Sequence, residues 1–339
     1  MIIRQALQIS QNNYFRDRLR FLSWLLLPLL IAACSSDAGQ TQFETGLQSF
    51  ETEVAGYNRS YLTYTPAGYS PDRPAPLLMV MHGGGGTAEA MVELTRFDVK
   101  AEEENFIAVF PQALPPDTSQ PPRFGSNGPI WNDGSGRFHA GEQNIPDIPY
   151  INTVLNEVKE RLNVNSDSVF MTGFSNGASM TFRSAVELSQ TFNAIAPVAG
   201  TLWSDPSSIS DPMPLLYISG ALDTFNPAEG GIPRAANGQQ FGDTPKPSIL
   251  SYLQNWARAV NCSVMPDTTQ FKPDVDKVTF SGCPNGTEIN YIIVKDLGHV
   301  WPGKEPLLPE SITGPSSDKI NATNLIWKYF KSGILDNQN

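Results

Sequence analysis

The sequence has 339 residues, of which 40% are hydrophobic and 17% are charged. This balance excludes disorder over most of the chain, because disordered segments combine low hydrophobicity with high net charge. The 27 glycines and 28 prolines exclude a long coiled coil. The chain carries 23 Lys and Arg against 34 Asp and Glu, and the formal charge of −11 argues against a nucleic-acid partner.

The N-terminal segment is predicted to be a targeting signal. Arginines precede an apolar run at residues 21–33, which is shorter than the ~20 residues that a membrane-spanning helix needs. The run ends in small residues before Cys34, and this pattern resembles a bacterial lipoprotein signal, in which that cysteine is lipidated. We expect a signal peptide at residues 1–33, a tether at 34–48, and export with a lipid anchor in a membrane. The alternatives are an ordinary secretory signal and an N-terminal anchor helix.

The two later cysteines, Cys262 and Cys283, form an even pair in a chain predicted to be exported. A disulfide is the expected state of such a pair in an oxidising compartment, and two free buried thiols are the alternative. The sequence has no Cys-x-x-Cys or His-x-x-x-His spacing, so no metal site is predicted. No cofactor is expected either.

Strand-like and helix-like segments alternate along residues 49–335. Buried strands are predicted at residues 77–81, 106–110, 168–172, 194–198, 215–218 and 289–294, after an early alternating strand at 59–65. Helices are predicted at residues 87–104, 148–162, 176–188, 248–259 and 318–331, with a long loop at 113–146. This alternation predicts one α/β domain with a mostly parallel sheet that is covered by helices on both faces.

A Gly-x-Ser-x-Gly motif at residues 173–177 lies between a predicted buried strand and a predicted helix. The motif alone is weak, but its setting is that of a nucleophile elbow, in which the glycines allow a tight turn. Ser175 is therefore the predicted nucleophile, at the positive end of the following helix. A serine that only caps this helix is the alternative.

A serine nucleophile needs a base, and in this architecture the acid and then the histidine follow the serine along the chain. His299 is the only one of the three histidines that follows Ser175, so it is the predicted base. Asp223 follows a predicted strand and is the predicted acid. The competing acids are Asp211, Asp243 and Asp296.

The transition state needs backbone donors for an oxyanion. The N–H of Asn176, directly after the nucleophile, is one predicted donor. The second is expected from the Gly-rich run at residues 83–86, with Gly84 as the candidate, although the sequence does not distinguish it from its neighbours.

Three bulky side chains close to these motifs are candidate substrate-pocket residues: His82, Trp131 and Trp301. Ligand pockets are lined by aromatic groups with a few polar ones, which is why these types were selected. His82 is expected to position the Gly-rich loop, and packing in the core or in a loop is the alternative for the two tryptophans.

Eight stretches carry a family resemblance, among them Trp-Asn-Asp at 131–133, Gly-Phe-Ser-Asn-Gly-Ala-Ser-Met at 173–180 and Gly-His-Val-Trp-Pro-Gly at 298–303. The others lie at residues 59–66, 78–83, 109–111, 147–150 and 223–231. With them, residues 50–335 resemble the polyhydroxybutyrate depolymerase and feruloyl esterase branch of the α/β-hydrolases, related to carbohydrate esterase family 1. The resemblance implies an α/β-hydrolase fold, a triad at Ser175, Asp223 and His299, and a disulfide between Cys262 and Cys283.

The expected function is that of an exported serine esterase whose partner is a small or oligomeric ester. Polymer-degrading relatives often carry a further binding domain after the catalytic one, and this sequence ends soon after its last predicted helix. We therefore expect hydroxyalkanoate oligomers, or feruloyl or acetyl esters of plant polysaccharide, as substrates. The alternatives are a serine peptidase on the same fold and a non-catalytic binding lipoprotein.

Overall fold

The structure is a computed structural model that describes residues 43–209, 212–333 and 335. The predicted signal peptide at residues 1–33, the predicted lipidation site Cys34 and the competing acid Asp211 lie outside the described residues. All elements below belong to the compact unit Phe43–Asn339. Among the described residues, no helix has both the length and the apolar character to cross a membrane.

Ten strands of the described chain form one sheet. They are β1 (Gly46–Val54), β2 (Tyr57–Thr65), β3 (Ala75–Met81), β4 (Ile107–Pro111), β5 (Val164–Phe174), β6 (Ala194–Val198), β7 (Leu215–Gly220), β8 (Asp267–Lys272), β9 (Val275–Phe280) and β10 (Ile289–Val294). Their order in the sheet is β1-β2-β4-β3-β5-β6-β7-β10-β9-β8. The six strands from β4 to β10 run parallel, and an antiparallel pair extends the sheet at each edge.

Five of the six parallel strands are almost entirely buried, and so is the second half of β5, because helices cover both faces of the sheet. The helices are α1 (Ala88–Thr95), α2 (Phe97–Glu104), α3 (Phe138–Glu142), α4 (Asp147–Arg161), α5 (Asn176–Glu187), α6 (Ile249–Ala259), α7 (Glu310–Thr313) and α8 (Ala322–Ser332). Residues of α4, α5 and α6 join one hydrophobic cluster, and residues of α1, α2 and α8 join another. The prediction of an α/β sheet with helices on both faces is therefore confirmed.

The structure differs from the sequence-based prediction at several places, and one of them is helix α3, which lies inside the predicted loop at residues 113–146. Strand β1 begins at Gly46, inside the predicted tether at residues 34–48. The predicted helix at 87–104 is two helices, because Arg96 adopts a left-handed conformation with φ of 54° between α1 and α2. Strands β8 and β9 form an antiparallel hairpin that the sequence pattern did not reveal.

A disulfide joins Cys262 to Cys283. Cys262 follows α6 and Cys283 follows β9, so the bond ties the end of a helix to the hairpin at the edge of the sheet. Both cysteines are nearly buried and belong to the core cluster beneath α6.

Candidate active site

The predicted catalytic residues lie where parallel strands end. Ser175 follows β5, Asp223 follows β7 and His299 follows β10, and β7 is paired directly with β10. The carboxyl ends of parallel strands lie along one edge of the sheet, where open α/β sheets bind their ligands. The topology therefore brings together three residues that are separated by up to 124 positions in the chain.

The turn from β5 into α5 has the geometry of a nucleophile elbow. Ser175 has φ of 56° and ψ of −119°, a strained conformation for a residue with a side chain. A Cβ on Gly173 would lie 2.5 Å from the carbonyl oxygen of Gly177, and a Cβ on Gly177 would lie 2.3 Å from that of His82. Both positions therefore require glycine, because α5 begins in contact with the end of β3.

Ser175, His299 and Asp223 form a continuous hydrogen-bonded chain. The Oγ of Ser175 lies 2.8 Å from Nε2 of His299, and Nδ1 of His299 lies 2.7 Å from Oδ2 of Asp223. Asp223 is 3% exposed and His299 is 8% exposed, so the carboxylate is shielded and the imidazole reaches the surface only at its edge. If Nδ1 of His299 carries the proton toward Asp223, Nε2 is free to accept the proton of the serine hydroxyl.

Asp223 is the only one of the predicted acids that the described residues bring to His299. Asp243 and Asp296 are exposed, and Asp243 accepts a hydrogen bond from its neighbour Thr244. Asp296 precedes the histidine loop, but its side chain points to solvent.

Asn226 supports the carboxylate of Asp223 and was missed by the sequence analysis. Its backbone N–H donates to Oδ1 of Asp223 at 2.8 Å. Its side-chain amide donates to the hydroxyl of Tyr217 at 2.6 Å and to the carbonyl of Gly200 at 3.0 Å. The signal in the sequence was an asparagine three residues after an aspartate in a turn, where Asp side chains commonly accept backbone bonds.

Aromatic rings flank the imidazole of His299. The rings of Phe174 and Phe225 each lie 5.0 Å from it, and Phe241 packs against Phe225 at 4.9 Å. Phe225 is half-buried and Phe241 is 41% exposed, so they present an apolar surface beside the predicted base. Neither residue was selected from the sequence, because no periodic pattern covers this loop.

The Gly-rich loop after β3 lies against the elbow. The N–H of Gly85 donates to the carbonyl of Pro129 at 2.7 Å, and that of Gly86 donates to the carbonyl of Gly83 at 3.0 Å. These two donors are thus occupied, which favours Gly83 or Gly84 as the second oxyanion donor. A Cβ built on Gly84 would lie 3.6 Å from Cβ of Asn176, the residue whose N–H is the other predicted donor.

The side chain of Asn176 ties the elbow to the loop after β4. Its Oδ1 accepts the N–H of Trp131 at 2.7 Å, and its Nδ2 donates to Oδ2 of Asp133 at 3.0 Å. These bonds hold the first residue of α5, and with it the predicted oxyanion donor, in a fixed orientation. The sequence motif indicates only the backbone role of Asn176, because the bonds of its side chain depend on the tertiary structure.

The three pocket candidates from the sequence lie behind the site instead of lining an open pocket. Trp131 and Trp301 are 0% exposed and His82 is 1% exposed. The indole N–H of Trp131 donates to the carbonyl of His82 at 2.9 Å, and that of Trp301 donates to Oγ1 of Thr323 at 3.2 Å. These residues therefore do not form the pocket wall expected from the sequence, because their polar edges are bonded within the protein and their faces are covered.

His82 supports the Gly-rich loop from beneath. Its Nε2 accepts the N–H of Ala113 at 3.0 Å, so its proton lies on Nδ1 and is donated to the carbonyl of Gly83 at 2.8 Å. Burial lowers the pKa of His82 to about 4, because the charged imidazolium would lose its hydration. His82 is therefore neutral at neutral pH, and its bond to Gly83 fits the expectation that it positions the Gly-rich loop.

No cluster of His, Cys, Asp or Glu in the part of the chain that the structure describes could hold a metal ion. The site contains a serine hydroxyl on a strained turn, a histidine base that is bonded to a buried carboxylate, and backbone N–H groups nearby. These are the groups that acyl transfer through a covalent intermediate requires.

Comparison with known proteins shows which families this chain is similar to. The phospholipase/carboxylesterase family of α/β-hydrolases matches residues 69–223. Feruloyl esterase D of Neurospora crassa is 26% identical over 280 residues, which cover 80% of this chain and 86% of that protein. A bifunctional acetylxylan esterase/xylanase of Neocallimastix patriciarum is 21% identical over 72% of this chain and 31% of its own length.

Among solved structures, the acetyl xylan esterase of Aspergillus awamori superposes with a TM-score of 0.55 at 15% identity, covering 75% of this chain and 94% of that one. At this identity the likeness shows the fold, which is that of the α/β-hydrolases. The chain therefore has the α/β-hydrolase fold, and the family and curated relatives that it resembles are carboxylic ester hydrolases.

Proposed function

We propose that this chain is a serine esterase that works through Ser175, His299, Asp223 and a covalent acyl-enzyme. The observation that carries the proposal is the hydrogen-bonded chain from Ser175 through His299 to Asp223, with distances of 2.8 and 2.7 Å. The strained elbow at Ser175 and the shielding of Asp223 support it, because both are features of an activated serine.

In the first half of the reaction, His299 Nε2 takes the proton of Ser175 Oγ as the oxygen attacks the ester carbonyl. The negative charge that develops on the carbonyl oxygen is stabilised by the N–H of Asn176 and by that of Gly83 or Gly84. The carboxylate of Asp223 stabilises the imidazolium that forms. His299 then protonates the leaving alcohol, and the acyl group stays on Ser175.

In the second half, a water molecule replaces the alcohol. His299 Nε2 takes a proton from the water, and the resulting hydroxide attacks the acyl carbonyl. The same backbone donors stabilise the second oxyanion. The proton returns to Ser175 Oγ as the acid is released, which restores the starting state.

The proposed substrates are soluble or oligomeric esters, either hydroxyalkanoate oligomers or feruloyl and acetyl esters of plant polysaccharide. Relatives named as feruloyl and acetylxylan esterases support this range. The partly exposed rings of Phe225 and Phe241 beside His299 offer an apolar surface for part of an ester.

We also propose that the protein is exported and anchored to a membrane through Cys34. The disulfide between Cys262 and Cys283 supports export, because such bonds persist in oxidising compartments. Metabolic labelling with a palmitate analogue tests the anchor: Cys34→Ala should lose the label and leave the membrane fraction. Label retained in Cys34→Ala would exclude this anchor.

The mechanism is tested by comparing the wild type with Ser175→Ala on p-nitrophenyl acetate and butyrate, methyl ferulate and 3-hydroxybutyrate oligomers. We expect turnover of at least one of these esters and a loss of about three orders of magnitude or more in Ser175→Ala. Ser263→Ala is the matched control, since Ser263 is exposed beyond α6. Full activity in Ser175→Ala would exclude the mechanism.

The same assay separates the alternative functions. Serine-dependent cleavage of peptides alone would replace the esterase by a peptidase, and no turnover by folded protein would favour a binding role.

A further inference from the structure

Two cations lie near the predicted active site. Each of them contacts a residue that in turn bonds to a residue of the site. Arg137, directly before α3, has NH2 3.9 Å from Oδ2 of Asp133, the carboxylate that holds the side chain of Asn176. Lys246, in the loop before α6, donates from Nζ to Oδ1 of Asn226 at 3.3 Å. Arg137 thus approaches the site from the side of the elbow, and Lys246 from the side of the acid.

The carboxylates near these cations are already occupied. Oδ1 of Asp133 accepts the N–H and the hydroxyl of Ser135 at 3.1 and 2.5 Å, and Oδ2 accepts the amide of Asn176. Asp223 accepts His299 on one oxygen and the N–H of Asn226 on the other. Within the described residues, no carboxylate is left that bonds either cation at a normal hydrogen-bond distance.

Arg137 retains unused hydrogen-bonding capacity. Its guanidinium carbon lies 4.5 Å from the ring centre of Trp203 and 5.3 Å from that of Phe138, so the aromatic rings hold the group by its face. Its Nε is buried and has no partner among the described residues, and the same is true of the indole nitrogen of Trp203. A guanidinium held by its face keeps its donor edge for a planar acceptor, and a carboxylate matches that edge.

The electrostatics of the pair favour an added anion. Burial lowers the pKa of Lys246 to about 8 and also lowers the pKa of Arg137, since both cations lose hydration. The charge of Arg137 lowers the pKa of Lys246 further, while Asp223 and Asp133 oppose this effect. Arg137 and Lys246 thus repel each other, and an anion between them would relieve this repulsion.

We propose that Arg137 and Lys246 form a subsite for a carboxylate carried by the ester substrate. Two substrate classes are proposed above. Hydroxyalkanoate oligomers end in a free carboxylate, whereas feruloyl and acetyl groups carry no free carboxylate. The subsite therefore selects ester oligomers of hydroxy acids. This inference rests on the proposed function, because the carboxylate is placed relative to Ser175.

The test uses two substrate pairs that differ only in a masked charge. The first is the linear 3-hydroxybutyrate trimer and its methyl ester, and the second is mono-p-nitrophenyl glutarate and its methyl ester. The measured quantity is the ratio of kcat/KM for the free acid to kcat/KM for the methyl ester. We expect a ratio well above one in the wild type for at least one pair, mainly through a lower KM.

Arg137→Gln and Lys246→Gln should each reduce this ratio by about tenfold, as expected for the loss of one charge-assisted hydrogen bond. Lys246→Arg should keep most of the ratio, since it keeps the charge. Arg96→Gln and Lys331→Gln are matched controls and should leave the ratio unchanged. Both control residues are at least half-exposed and bond to acids on α2.

A wild-type ratio of one or less for both pairs overturns the subsite, and so does a ratio that survives in Arg137→Gln and Lys246→Gln. If Arg137→Gln does not fold, judged by circular dichroism, the two Lys246 variants decide. A failure of the proposed function looks different: the wild type then hydrolyses neither member of either pair, or hydrolysis persists in Ser175→Ala.

Discussion

The imidazole of His82 illustrates how single residues near the site combine structural and electrostatic roles. It is enclosed beneath the Gly-rich loop, accepts the N–H of Ala113 on Nε2 and donates from Nδ1 to Gly83. Protonation of Nε2 would place two N–H groups against each other. The imidazolium is therefore opposed both by lost hydration and by the loss of a bond that orients the loop.

This environment predicts a pH dependence of stability. The pKa of His82 is about 4 in the folded protein, below the value of 6.5 for a free histidine. The unfolded chain therefore binds the proton first, and the folded state loses stability as the pH falls from 6.5 to 4. The loss reaches about 3 kcal/mol at pH 4.

Urea unfolding at several pH values measures this effect. His82→Gln should destabilise the protein at pH 7, and the stability gap between the wild type and this variant should shrink by about 3 kcal/mol at pH 4. His139→Gln serves as the control. A gap that stays constant with pH would contradict the neutral, buried state of His82.

At the scale of elements, the contact between α5 and β3 fixes the position of the nucleophile. A Cβ on Gly177 would lie 2.3 Å from the carbonyl oxygen of His82 and 2.4 Å from that of Met81. Both are backbone atoms, so they cannot rotate away as a side chain would. A larger residue forces the start of α5 away from the sheet, and Ser175 moves with it.

Gly177→Ala should therefore reduce ester hydrolysis by about two orders of magnitude, because a displacement of ~1 Å is enough to cost this much. Ser263→Ala is again the control, since Ser263 is exposed beyond α6. The measurement is kcat/KM on a neutral ester, with circular dichroism to show that both variants fold. Wild-type activity in Gly177→Ala would contradict the fixed position of the elbow.

Elements with a strong hydrophobic pattern could be predicted from the sequence. Strands β6 and β10 lie at the predicted residues, and β4 differs by one, because a buried parallel strand reads as a continuous apolar run. Strand β1 was missed since Gln48 and Thr52 occupy its inner face, and no apolar alternation marks it. Strand β8 is exposed over four of its six residues and gives no signal either.

The residues of the site also differ in whether the sequence could predict them. Chain order and strand ends were enough to select Ser175, Asp223 and His299, which the structure brings within hydrogen-bond distance. The direction of a side chain in a loop is set by tertiary packing and has no sequence period. For this reason the sequence places Trp131 and Trp301 at a pocket wall that they do not form, and it gives no signal for Asn226 or Phe225.

At the scale of the whole molecule, the disulfide constrains a late segment of the chain. Cys262 and Cys283 are 21 positions apart and enclose the β8–β9 hairpin. Closing a loop of this size stabilises a protein by roughly 3 kcal/mol in the chain-entropy model. The double variant Cys262→Ser, Cys283→Ser should lose about this much unfolding free energy in urea.

The same loss should appear when the wild type is unfolded in the presence of a reductant, whereas the double variant should not respond to it. Titration of thiols in unfolded, unreduced protein provides the check on the bond itself, with Cys34→Ala as the background. Two reactive thiols in that background would show that the cysteines are free, which was the alternative left open by the sequence.

The antiparallel pairs at the two ends of the sheet have a consequence for how copies of this protein meet. Strands β4 and β10 could pair with a strand of another chain if they were edge strands. Each is paired instead with an antiparallel neighbour, β2 and β9 respectively. The rim strands β1 and β8 expose Glu51, Glu53 and Asp267. Carboxylates on an approaching copy would face the same charges, so stacking of sheets rim to rim is opposed. Edge-to-edge growth of the sheet is therefore disfavoured by charge at both of its ends.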